Sequence, residues 1–252
     1  MNVDYWNRVA LSYNNEIFDV YKSNKLQKLQ RYLKKHANKN GLAIDFGCGI
    51  GKAFTILSPS FKQVIGIDIS KNCIKTATEV VAAYKYKNIQ LKTLDLANKR
   101  LKLPLCDFAV CVNVAILPDI EKNKAILRNI EKHLKKNGTG VLVVPSLESS
   151  LFATQRVIDW YEKDGVLFDE IPESDFAHVP ARKNIVRGLM KIDNEPTKHY
   201  LQAELEALFN SLGLTITRIE KLEYDWTTEF AEPPTWMKHP YPWDWMVEFR
   251  KV

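Results

Sequence analysis

The sequence predicts an α/β fold, a doubly wound, mostly parallel sheet with helices on both faces. Two observations carry this. Short apolar runs alternate with helical patterns from residue 41 to residue 146, and strands that alternate with helices over such a length build a parallel sheet covered on both sides. The first apolar run, "GLAIDFGCGIGKAF", ends in three glycines at alternate positions, Gly47, Gly49 and Gly51. Glycine spaced in this way lets a backbone come very close to a ligand.

The elements follow in order. Residues 4–37 read as helix in two pieces and form an N-terminal cap over residues 1–40. "LAIDFG" is a short apolar run closed by an acid and a glycine, the mark of a buried strand. "KAFTILSPS" is helical, "QVIGIDIS" (63–70) is a second strand, and "KNCIKTATEVVAAYK" carries apolar residues at helical spacing. "IQLKTLDLA" (89–97) and "CDFAVCVNVAIL" (106–117) are strands three and four. "EKNKAILRNIEKHLKKNG" is a helix closed by Gly138, and "GTGVLVVPS" (138–146) is strand five. Residues 41–146 make up the core, and 147–198 form an insertion that begins as a helix and turns acidic, proline-containing and irregular, with "NIVRGLMKID" a candidate strand. Residues 199–252 hold a helix ending at Gly213 and two strands, "LTITRIEKLEYDW" and "PWDWMVEFRKV". The whole chain of 252 residues reads as one domain.

Composition narrows the class. Apolar residues make up 46% and charged residues 26%, which is globular rather than disordered. No apolar run is long enough for a bilayer, and the first residues lack a secretory core, so a cytoplasmic protein is expected. None of the cysteines, Cys48, Cys73, Cys106 and Cys111, stands in a CxxC pair, and three fall in core-like segments, as free thiols do. The net charge is +6. Lys22, Lys25, Lys28, Arg31 and Lys35 recur as one helix face would, which suits either solvent or nucleic acid. The histidines are scattered, and no cluster has metal-ligand spacing, so no metal is expected.

In a parallel sheet, ligands bind at the carboxyl ends of the strands. That rule gathers the glycine loop, Asp68, Asp95 and Asn113 on one rim. A dinucleotide fingerprint, G-x-G-x-x-G, wants its third glycine one place later than Gly51, and a P-loop wants its second glycine where Lys52 stands. Both phosphate readings fit poorly. "AIDFGCGIGK", "VIGIDIS" and "TLDLA", in this order, resemble the class I S-adenosylmethionine-dependent methyltransferases. The resemblance covers residues 41–146 well. It implies a Rossmann-like, seven-stranded sheet with an antiparallel last strand, and S-adenosylmethionine as donor with S-adenosylhomocysteine as product.

The resemblance also implies roles. Asp68 would accept from the ribose hydroxyls, with Ile69 against adenine. Asp95, with Leu96 beside it, would accept from the adenine amino group. Gly47, Cys48, Gly49 and Gly51 would form the loop, and Asp45 and the backbone at Asn113 would meet the methionyl amino group. "DYWNRVALSYNNEIF" is similar to the family's opening helix over the cofactor, with Trp6 and Tyr13 on one face. Candidates for a catalytic side chain are Tyr13, Tyr161, His178 and His199, with Asp175 and Arg182 as further insertion candidates and His199 equally a helix-start residue. Trp226, Trp236 and Trp243 wall a pocket if the sixth strand is parallel; otherwise they staple their own loop. The amino-directed [DNS]-P-P-[YFW] turn of nucleic-acid enzymes is absent, since "VNVAILPD" stands there. The expected acceptor is an O or N atom of a small molecule. The alternatives are RNA or a protein, met by the basic helix, and a domain that binds cofactor or a partner without catalysis.

Overall fold

The computed structural model describes residues 3–10, 19–192 and 194–252. Its main sheet has seven strands: β1 (Asn38–Phe46), β2 (Phe61–Asp68), β3 (Ile89–Thr93), β4 (Cys106–Val112), β5 (Leu134–Pro145), β8 (Leu214–Glu223) and β9 (Trp243–Lys251). Their order is β3-β2-β1-β4-β5-β9-β8. Strands β1 to β5 pair in parallel, and β9 runs antiparallel to both β5 and β8. Strand β8 therefore points the same way as β5, and its carboxyl end reaches the same rim. A short hairpin, β6 (Leu189–Ile192) with β7 (Glu195–Lys198), stands apart as a second sheet. Three bonds pin it over the ends of β4 and β5. The Lys198 amide donates to Ile116 O, the Tyr200 amide to Pro145 O, and the Tyr200 hydroxyl to Ala115 O at 2.6 Å.

Alternation explains the core. Ile44, Phe46, Ile65, Ile67, Ala109 and Leu142 pack on one face, and Ala43, Val64, Phe108, Val110, Val141 and Met246 on the other. Strands buried on both faces read as continuous apolar runs. The helices that cover them include α4 (Phe54–Ser60), α5 (Lys71–Ala83) and α6 (Ile120–His133), with α7 (Leu147–Lys163) and α9 (Gln202–Ser211) further along; α8 (Arg182–Val186) is a single turn. Ser70 caps α5 through Cys73 N, Asp119 caps α6, and Ser146 caps α7 through Ser149 N.

Several boundaries differ from the sequence reading. Helix α6 stops at His133, with Leu134 already extended; Asn137, at φ 62°, supplies the left-handed turn, and Gly138 lies inside β5. Strand β4 ends at Val112 because Asn113 turns the chain at φ 53°. The N-terminal helix is more broken than two pieces: α1 (Val3–Val9), α2 (Val20–Ser23), a 3₁₀ turn (Lys25–Gln27) and α3 (Lys28–Lys35). Leu26 and Gln27 both take positive φ, so the basic residues from 22 to 35 share no single helix face. Three of them also pack against β8, β9 and the loop between them. Lys25 pairs with Asp225 at 3.1 Å and lies 3.8 Å from the Tyr241 ring, Lys28 donates to Lys221 O, and Lys35 reaches Glu248. Among the described residues, no helix is long and apolar enough to cross a membrane.

Candidate functional site

The glycine loop leaves β1 at Phe46. The amides of Gly47 and Cys48 both donate to Ile67 O at 2.8 Å, which folds the loop back onto the end of β2. Gly47 sits at φ +85°, and a Cβ there would lie 2.2 Å from Val114 Cγ2. Only glycine fits such a place. The Gly49 amide donates to Asp68 Oδ2 at 2.9 Å, and Asp68 Oδ1 accepts from the Ser70 amide at 2.9 Å. The Asp68 carboxylate is therefore the clamp that holds loop to strand. Each of its oxygens keeps a further lone pair for a ligand.

A cleft of about 390 Å³ opens on this rim. Asp45, Gly47, Cys48, Asp68, Ile69, Asp95, Leu96 and Asn113 line it, so of the ten expected residues all but Gly49 and Gly51 reach the cleft. Gly49 supports it through Asp68, and Gly51 turns onto Phe54, 2.5 Å from where its Cβ would stand. Leu96 is buried, while Asp95 stays exposed and uses Oδ1 to accept from the Ala97 amide at 2.8 Å. Cys48 is buried with its thiol pushed well up, mainly by burial, so it packs and does not react.

Helix α1 lies over the cleft, with Tyr5 and Trp6 on the wall. Asn7 holds it there, since its side-chain oxygen accepts from Ser70 Oγ at 2.8 Å and its carbonyl from Asn72 Nδ2 at 2.8 Å. Tyr13 falls outside the described residues. Lys52 binds Asp19, the cap of α2, at 2.7 Å. That pair escaped the sequence reading. It commits the cation beside the glycine loop to a carboxylate, which suits a ligand without phosphate.

Burial raises the Asp45 carboxyl to about 7, and the neighbouring Asp68 charge adds to this. Asp68 is raised by burial too, against the backbone amides of Ser70, Gly49 and Ile69. Raised folded values mean that the folded chain holds a proton which the unfolded chain, at the ordinary 3.8, has released. Stability is then highest below the unfolded value and falls as pH rises from about 4 to about 7. Asp45→Asn is expected to flatten this slope in urea unfolding of the ligand-free protein between pH 4.5 and 7. An identical slope in the variant would remove Asp45 as its source.

A second cavity, of about 940 Å³, adjoins the first. Asn113 and Ile192 line both. Helix α7 contributes Ser149, Ser150, Ala153, Val157, Trp160 and Tyr161, and the far wall comes from Tyr224, Glu229, Phe230, Trp243 and Asp244. Tyr161, His178 and His199, three of the four catalytic candidates, meet here. Each is already engaged. Tyr161 donates to Asp175 Oδ2 at 2.5 Å. The Thr154 hydroxyl donates to Ser150 O, which leaves its oxygen to accept from His178 Nε2 at 2.8 Å. His199 Nδ1 donates to Thr197 O at 3.0 Å, and burial lowers its pKa to about 4, so it stays neutral. Arg182 does not line the cavity.

The tryptophans divide between the two readings. Trp226 is buried and donates to Lys238 O at 3.0 Å, which staples its loop, and Trp236 stacks under Arg156 and Lys163. Trp243 walls the cavity. Tyr224, Glu229 and Asp244 were missed; the one hint was an acid set between two tryptophans in "PWDWM". Among the described residues, no group of three or more His, Cys, Asp or Glu could hold a metal.

Residues 37–204 match the methyltransferase domain family. The chain belongs to that family. It is a class I S-adenosylmethionine-dependent methyltransferase. Its relatives include mouse EEF1A lysine methyltransferase 2, 26% identical over 66% of this chain and 69% of the relative. Among solved structures, a Methanosarcina mazei S-adenosylmethionine-dependent methyltransferase superposes with a TM-score of 0.62 at 16% identity, covering 88% of this chain and 97% of that one. The magnesium protoporphyrin IX methyltransferase of Synechocystis, solved with S-adenosylmethionine bound, gives 0.59 at 16% identity, covering 99% and 95%. Seven strands with the last one antiparallel agree with this fold. The methyltransferase's cleft also fits the donor chemically: Lys52 is taken, Gly47 leaves a backbone cradle, and among the described residues Asn113 Oδ1 is a buried acceptor without a partner.

Proposed function

We propose that this methyltransferase modifies a nitrogen or oxygen atom of a small molecule seated in the larger cavity. The observation that carries the reading is adjacency: Asn113 and Ile192 line both a donor-sized cleft and a second cavity large enough for a metabolite. In this reading Asp68 holds the ribose, Ile69 and Leu96 flank the adenine, Asp95 accepts from its amino group, and Asp45 and the Asn113 backbone hold the methionyl end. When bound, the donor supplies an electrophilic methyl group. The chain's task is to align the acceptor, which is worth roughly 7–11 kcal/mol in well-oriented cases. The four free, buried thiols suit a reducing cytoplasm.

Ala153→Trp tests the seat, since Ala153 is buried on the cavity wall. The bulk should abolish turnover with small-molecule pools while S-adenosylhomocysteine affinity changes by less than about 0.5 kcal/mol, as for a distant site. Unchanged turnover would place the acceptor elsewhere. The mouse relative's name favours a second reading, a protein lysine as acceptor. Labelled methyl groups entering protein rather than low-mass fractions of a lysate would select it. An RNA acceptor, the other alternative, would have to meet Lys22, Arg31 and Lys35, which stay exposed, since Lys25 and Lys28 are engaged by Asp225 and Lys221 O.

A further inference from the structure

The larger cavity has a charge pattern that the composition does not explain. The protein is basic, at +6, yet among the described residues Asp164, Asp175, Glu229 and Asp244 line this cavity against one cation, Lys191. Asp175 already accepts from Tyr161. Asp244 accepts from the Tyr224 hydroxyl at 2.7 Å and from the Asn113 side chain. Among the described residues, neither Asp244 nor Glu229 has a cation within ion-pair distance. Asp244 is half-buried and Glu229 exposed, and both face this space without a counter-ion, so a ligand that brings positive charge would offset the cost of shielding Asp244 from water. The rest of the wall is aromatic: Trp160, Tyr161, Phe230 and Trp243. Ring faces attract cations, most strongly where water is excluded. Trp243 is 7% exposed, and Lys221 Nζ already stands 3.7 Å from its ring, so a basic side chain has settled on this wall from outside the cavity.

We propose that the acceptor is a small, protonated amine, held by Asp244 and Glu229 within this aromatic wall. The inference rests on the small-molecule reading and narrows it to nitrogen. A protonated amine has no free lone pair. Asp244 therefore also takes the proton: the N–H bond breaks and leaves its pair on nitrogen, while an O–H bond forms on the carboxylate. Burial lifts Asp244 to about 7, which suits a group that exchanges a proton near neutrality.

The test is calorimetry of the full chain saturated with S-adenosylhomocysteine, using phenethylamine, phenethyl alcohol and phenylacetate as matched probes. Only the amine should bind, and Asp244→Asn and Glu229→Gln, both nearly isosteric, should each weaken it about tenfold or more, the size of one charged contact. S-adenosylhomocysteine affinity in both variants should match the wild type, which shows that they are folded. Equal binding of the alcohol or the acid, no binding by the amine, or an amine affinity indifferent to both substitutions would overturn cation recognition. A lysine peptide that binds in an Asp244-dependent way while the free amine does not would keep the cation site and overturn the small-molecule reading instead.

Discussion

Asp68→Ala should weaken S-adenosylhomocysteine binding by about 3 kcal/mol, or roughly a hundredfold in Kd. The side chain does two things at once. It offers acceptors to the ligand in the proposed arrangement, and it anchors the Gly49 and Ser70 amides at 2.9 Å each. Removing it leaves two backbone donors without their acceptor and frees the loop to move. Asp68→Asn separates the two contributions. Its oxygen can keep one amide, but its NH₂ group faces the other as donor against donor. The asparagine variant should therefore bind less well than wild type and better than alanine. Calorimetry decides this, and a dissociation constant unchanged in Asp68→Ala would remove Asp68 from the donor site.

Gly47→Ala should lower the stability of the ligand-free protein by about 2–4 kcal/mol, read as a drop in the urea midpoint at constant slope. Two costs combine. A non-glycine residue at φ +85° loses about 1–2 kcal/mol, and the new Cβ would stand 2.2 Å from Val114 Cγ2. The double variant Gly47→Ala/Val114→Ala relieves the overlap and leaves the backbone cost, so it should fall between. If the single variant unfolds at the wild-type midpoint, the loop does not hold this conformation in solution.

The parts of the molecule that were legible in its sequence share a physical cause. Strands β1, β2, β4 and β5 are buried on both faces, so their apolar runs need no tertiary information to be seen. Asp68 and Asp95 were visible for the opposite reason, as acids that close or follow such runs. Asp244 was not. In "PWDWMVEF" an acid between large apolar residues reads as the solvent side of an ordinary strand. It becomes cavity wall only because β9 is threaded between β5 and β8, and strand order leaves no local trace. The basic stripe failed in the same way. Its spacing was helical, but Leu26 and Gln27 break the helix, and Lys25 and Lys28 are drawn down onto β8 and the loop that follows it. Local periodicity could not register either the break or the contact.

The threading of β9 also sets an order of assembly. Its pairing joins Pro145 to Asp244 and Thr139 to Arg250, residues far apart along the chain. Contacts of such long sequence separation close late in folding, and a chain leaving the ribosome makes its amino-terminal part first. The donor cleft, built almost wholly from residues before 127, can be complete while β9 is still being made. The wall that holds Asp244 is fitted last. A nascent copy would therefore have the smaller cleft in place before the larger cavity has its last wall.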